Sequence, residues 1–124
     1  MKHFSPIFLV LILLLSINSF FAHPPSGLEL EFDPIEHILT IVILHPVKDF
    51  SKHYIYKITV ELNEKEIIRQ EFKIQSNKEE QEAIYMIIDA KEGDKITVTA
   101  YCNISGKKKE TLEIGLQENI ETEE

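Results

Sequence analysis

A chain of 124 residues with 44% apolar and 27% charged side chains suffices for one packed domain and not two, and its composition excludes a disordered polymer. Its formal net charge is −8, and Lys2 is the only charged side chain among the first 22 residues, so the remainder is more acidic still. That balance argues against nucleic acid and anionic membrane surfaces as partners.

The chain opens with Lys2, then an apolar stretch beginning at Ile7, then small and polar residues up to Ala22. A basic start, an apolar centre and a small-residue boundary predict an export signal over residues 1–22, with cleavage after Ala22 or after Ser19. The protein is expected in the periplasm or outside the cell. Left uncleaved, the stretch would serve as an anchor, but it is shorter than the roughly 20 apolar residues of a spanning helix, which favours cleavage.

From His23 onward the pattern is short strands between turn signals, with no long apolar stripe of helical period. Leu28, Leu30 and Phe32 alternate with Glu29 and Glu31, and Asp33-Pro34 closes that strand. Residues 37–44 are nearly continuous in apolar side chains and predict a central strand buried on both faces, ended by His45-Pro46. In the next strand Tyr54, Tyr56, Ile58, Val60 and Leu62 share one face, opposite His53, Lys57, Thr59 and Glu61. Residues 63–66 suggest a hairpin connection, and Ile68, Phe72 and Ile74 mark its partner strand.

Residues 75–81 are polar and predict a loop, residues 83–88 a further strand, and residues 90–94 a turn. Ile96, Val98, Ala100 and Cys102 then alternate with Thr97, Thr99 and Tyr101, which puts the cysteine on the core face at a strand end. Residues 106–109, with three lysines, suggest a solvated turn. Leu112, Ile114 and Leu116 give a last strand, and residues 118–124 form an acidic tail. About seven closely spaced strands over residues 23–117 predict an all-β, immunoglobulin-like β-sandwich.

Cys102 is the only cysteine, so no internal disulfide forms. An unpaired thiol in an exported chain calls for burial, a partner chain or a metal. Three histidines also stand at strand ends or in loops: His23, His45 and His53. Imidazole nitrogens and one sulfur together suit iron, copper or zinc. His37 stands eight residues from His45, roughly 26 Å along an extended strand, too far to complete the same site.

His45-Pro46, His53-Tyr54-Ile55 and Cys102-Asn103-Ile104-Ser105-Gly106 resemble, in order, the three signatures of the superoxide reductase and desulfoferrodoxin iron domain: His-Pro, His-Tyr-Ile and Cys-Asn-x-His-Gly. That family uses an immunoglobulin-like sandwich to hold one non-haem ferrous ion, with four equatorial histidines, an axial cysteine and an open position that meets superoxide. The resemblance implies that His45 and His53 are equatorial ligands and Cys102 the axial one, and that His23, followed by Pro24-Pro25, is the first ligand. It also implies a separate electron donor, not identifiable from the residues, and leaves a homo-oligomer open.

The chain departs from that pattern in three places. Ser105 stands where the family has its fourth histidine, the loop between His45 and His53 is two residues longer, and Phe21-Ala22 replace the charged residues before the first histidine. Lys48 and Lys52, in that longer loop, are candidates for drawing in a small anion, with Lys48 the catalytic candidate beside Cys102. A superoxide-reducing enzyme, a copper- or zinc-binding or electron-transfer module, and a sandwich with a decayed site are the three functions these residues allow. The residues alone do not choose between an enzyme and a binding module.

Overall fold

A computed structural model describes residues 23–115; the expected export signal at 1–22 and acidic tail at 118–124 lie outside the described residues. Seven strands form: β1 (Gly27–Asp33), β2 (Ile38–Leu44), β3 (Ile55–Leu62), β4 (Lys65–Glu71), β5 (Glu80–Met86), β6 (Lys95–Cys102) and β7 (Lys107–Glu113). They make two antiparallel sheets, ordered β1-β2-β5 and β4-β3-β6-β7, and no helix occurs among the described residues. The expected all-β sandwich is the observed architecture. Its β4 sits beside β3 rather than on the β1-β2-β5 sheet, unlike the constant-type immunoglobulin arrangement.

The core lies where the inner faces meet. Leu39, Ile41 and Ile43 of β2 face Ile58 and Val60 of β3 and Ile96 and Val98 of β6, all at 0% exposure. Burying each such side chain contributes about 1.5–3 kcal/mol. The β2 expectation is corrected in one respect: its residues alternate, with Ile38, Thr40 and Val42 half-buried on the outer face. The three-stranded sheet has core on one side only.

Other boundaries move for reasons of pairing. The β3–β4 connection is the two residues Asn63 and Glu64, whose φ angles of 49° and 69° suit a tight primed turn. That turn starts β4 at Lys65 and leaves Phe72 and Ile74 beyond its end. Glu80 and Gln81, expected in a loop, pair with Leu44 and Ile43 and open β5. The lysines expected in a turn pair with Tyr101, Ala100 and Thr99 as the first residues of β7, where they keep an edge strand charged.

A bulge in β3 changes which side chains face inward. Opposite β6, Ile55 pairs with Cys102 and Lys57 with Tyr101, so Tyr56 is the extra residue. Ile55 is consequently buried together with Ile58, and Tyr56 turns outward toward Tyr101 and Lys57. The expected single face from Tyr54 to Leu62 therefore breaks at Tyr56.

Antiparallel pairing also sorts the ends. The ends of β2, β4 and β6 and the starts of β1, β3, β5 and β7 fall at one end of the sandwich. His23, His45, His53 and Cys102 all belong there, and His37 belongs to the other end.

Candidate metal centre

His45 is the first residue after β2, and its N–H donates to the Glu79 carbonyl at 2.9 Å. Pro46 has no N–H to continue a ladder, so the chain leaves the sheet. It returns through a turn centred on Asp49, whose carboxylate accepts from the Ser51 N–H at 3.0 Å and the Ser51 hydroxyl at 2.6 Å. Those bonds hold the Asp49 carboxyl below the usual carboxylate range. The Asp49 carbonyl accepts from the His53 N–H at 2.9 Å, which closes the turn and brings the second histidine back beside the first.

Asn103 clamps His53 from both sides. Its carbonyl oxygen accepts from the Tyr54 N–H and its amide nitrogen donates to the Lys52 carbonyl, both at 2.9 Å. Because Asn103 directly follows Cys102, the same clamp sets the sulfur against the imidazole. His53 Nε2 and Cys102 Sγ are 3.2 Å apart.

The third histidine is placed by a glycine. Gly106 has φ +80°, and a Cβ there would come within 2.6 Å of the Pro24 Cβ. Only a residue without a side chain lets residues 23–25 lie across the turn after β6. Ser26 then ties that segment to the end of β2, its N–H donating to the Leu44 carbonyl at 2.8 Å.

The three rings converge. His45 and His53 centroids are 4.7 Å apart, His23 and His45 5.1 Å, and His23 and His53 5.2 Å. One nitrogen from each lies within 4.8 Å of the others. A shared ion at about 2.1 Å from each nitrogen requires separations no greater than about 4.2 Å, so the cluster is a few tenths of an ångström from closing. Cys102 is buried beside this trio, its sulfur against His53 and receiving the Ile104 N–H at 3.5 Å.

Protonation states suit a ligand set. His23 Nδ1 donates to the Pro24 carbonyl at 3.1 Å and His45 Nδ1 to the Gln75 side-chain oxygen at 2.7 Å, which leaves Nε2 of each as the lone-pair nitrogen. His45 Nε2 is buried and has no hydrogen-bond partner, a costly arrangement for a polar atom unless something else meets it. Burial, above all, holds the His45 pKa below the ordinary histidine value, opposed by the Gln75 bond, reinforced by the neighbouring His23 ring and opposed again by a backbone contact with His23. Burial likewise lowers that of His53, followed by the charges of His45 and His23. Both rings are therefore neutral at pH 7.

Beside the trio opens a cleft of about 610 Å³, lined by His23, Pro46, Val47, Lys48, Asp49, Lys52, His53 and Ile104. The expected anion-drawing residues Lys48 and Lys52 thus share a wall with two of the histidines. Ser105 is exposed in the turn after β6 and brings no nitrogen to the trio. His37 stands apart, half-buried at the opposite end, its carbonyl accepting from the Ile87 N–H at 2.8 Å.

The four candidates named from the sequence lie together at one end of the sandwich, three of them as the histidine cluster and Cys102 against His53, while sequence reasoning missed the residues that support them. Gln75 was one polar residue in a polar loop, with no spacing to mark it. Asn103 carried a signal in its position directly after Cys102. A family model described as desulfoferrodoxin matches residues 33–111, well over half of the chain. His45, His53 and Cys102 fall inside the matched stretch, and His23 lies before it. No curated protein matches the chain.

Proposed function

The chain belongs to the desulfoferrodoxin family, and on that premise we propose that it is an exported redox protein holding one non-haem iron ion between His23, His45, His53 and Cys102, and that it reduces superoxide. The observation that carries the reading is His45: its Nε2 is buried without a hydrogen-bond partner, and one of its ring nitrogens lies within 4.8 Å of one nitrogen each from His23 and His53. When bound, ferrous iron supplies the one electron that, with two protons from water, converts superoxide to hydrogen peroxide, and a separate electron donor restores it.

The protein's own residues do the rest. The three imidazoles are held from several elements at once, with those of His45 and His53 kept neutral by burial, so little ordering remains for binding. Pro46, Val47 and Ile104 make part of the cleft apolar. Lys48 and Lys52 give an otherwise acidic molecule a local positive field, which draws a small anion toward His23 and His53. Placement outside the cytoplasm is supported by the basic-apolar-small order of residues 1–22, and sequencing the N-terminus of the protein from its native host tests it.

Ser105 favours a second reading. Three nitrogens and one sulfur, without the fourth histidine, are also a donor set for copper or zinc. Metal analysis and anaerobic Fe(II) titration of the wild type, Cys102→Ser and Ser105→His separate the two. On the iron reading the wild type holds one ion with a sulfur-dependent visible band that Cys102→Ser abolishes. Ser105→His binds iron more tightly, and pulse radiolysis shows superoxide consumed by both forms containing Cys102. Retention of copper or zinc with no uptake of iron replaces the iron reading, and no uptake of any of the three removes both.

A further inference from the structure

We infer that Gln75 is a positioning residue for His45: its side-chain oxygen holds the ring in the Nδ1–H form, so that the Nε2 lone pair faces His23 and His53. The inference rests on the metal-binding reading above and extends it to a residue outside the donor set.

Gln75 is 2% exposed, in the connection between β4 and β5, and every polar atom of its side chain is used. The amide nitrogen donates to the His45 carbonyl at 2.8 Å and to the Asn77 carbonyl at 2.9 Å. Both partners can only accept, so the group pointing at them must be NH2; reversed, an oxygen would face two carbonyl oxygens. The opposite end is independently determined, because it also accepts from the Ile55 backbone N–H at 3.3 Å, which can only donate. An oxygen 2.7 Å from His45 Nδ1 therefore requires a proton on that nitrogen. A neutral imidazole carries one such proton, so Nε2 is the bare nitrogen.

The choice of an amide has its own consequence. A carboxylate in the same place would bring an unpaired negative charge into a buried position and set oxygen against the two carbonyls. Gln75 orients the ring without that charge, as outer hydrogen bonds to metal-binding histidines do. It also links three parts of the site: its backbone N–H donates to the Phe50 carbonyl in the loop between the histidines, and its oxygen meets the start of β3.

The test has two parts. Long-range proton–nitrogen NMR of the metal-free wild type at neutral pH reads the tautomer directly, with resonances assigned through His45→Gln. Nδ1 protonated and Nε2 bare is expected; a proton on Nε2 overturns the inference. Gln75→Met, which removes the acceptor, and Gln75→Glu, which keeps one, are then compared by Co(II) titration and thermal melting. Gln75→Met should mix the tautomers and weaken Co(II) binding by about 10 to 100-fold. Gln75→Glu should melt well below wild type, because of its buried charge and the two lost donors, yet keep the proton on Nδ1 and lose less Co(II) affinity than Gln75→Met. Equal losses in both variants, or none in Gln75→Met, overturn the inference, and should Gln75→Met fail to fold, the wild-type spectrum decides alone. A wild type that binds neither Co(II) nor Fe(II) removes the metal reading, while the spectrum still decides how Gln75 holds the ring.

Discussion

The two ends of the sandwich carry similar polar clamps and finish them differently. At the end opposite the histidine trio, Asn63 donates to the Asp94 carboxylate at 3.0 Å and accepts from the Lys95 N–H at 3.0 Å. The other carboxylate oxygen accepts from the Lys91 N–H at 3.0 Å, and this network returns upon itself. At the histidine end Asn103 and Gln75 make the same kinds of bond, but the chain of donors and acceptors stops at His45 Nε2. A closed network only holds strands and turns together. One that ends in a buried lone pair beside two more imidazole nitrogens is arranged to receive a cation.

The sharpest way to break this contrast is to remove one histidine from each end. His37 also has a buried ring nitrogen without a partner, but it stands near Phe32, at 6.4 Å between centroids, and outside the three-histidine group. His45→Ala should reduce metal affinity by more than the roughly 100-fold limit typical of supporting residues, whereas His37→Ala should leave it unchanged. Titration with Fe(II) or Co(II) measures both. Similar losses at the two ends would dissolve the distinction.

A matched pair of glycines gives a smaller, separable effect. Gly93 at the far end has φ +85°, and a Cβ added there would meet nothing within 4 Å, while Gly106 has φ +80° with Pro24 at 2.6 Å. Gly93→Ala should cost only the left-handed backbone penalty of about 1–2 kcal/mol and spare metal binding. Gly106→Ala bears the same penalty, must also displace Pro24, and should weaken metal binding by moving His23. Urea unfolding and metal titration of both variants check this, and equal affinities would show that Gly106 does not place the first histidine.

The smallest expected effect is in pH. His45 and His53 have folded pKa values lowered from the ordinary 6.5, so below that pH the unfolded chain binds more protons than the folded one and stability falls as pH falls. Asp49 at one end and Asp94 at the other, also lowered, add a second loss only below the ordinary 3.8. Metal-free protein should thus show a urea midpoint that declines as the pH falls below about 6.5, and the decline should flatten in a His45→Gln, His53→Gln double variant. A flat wild-type profile over that range would count against the buried, neutral histidines.

Much of this was legible in the chain itself. Alternation from Ile96 to Cys102 put the cysteine on the core face, where it lies, because side-chain direction in a strand follows from its two-residue period alone. Where a partner intervened, the reading slipped: Lys107 to Lys109 looked like turn residues until pairing with β6 made them strand. Tyr56 looked inward until the bulge turned it out. Both depend on contacts with another strand that no local window contains.

The sequence by itself determined about seven strands, the order of the His-Pro, His-Tyr-Ile and Cys-Asn motifs, and that the four candidate donors stand at strand ends or in loops. Tertiary structure alone brought them to one end of the sandwich and decided the state of that end. Gln75 and His45 are 30 residues apart, and the bond that assigns the His45 proton exists only once the β4–β5 connection crosses the end of β2. Periodicity is a property of neighbours along the chain, whereas a tautomer is set by whichever atom the fold brings within hydrogen-bond reach.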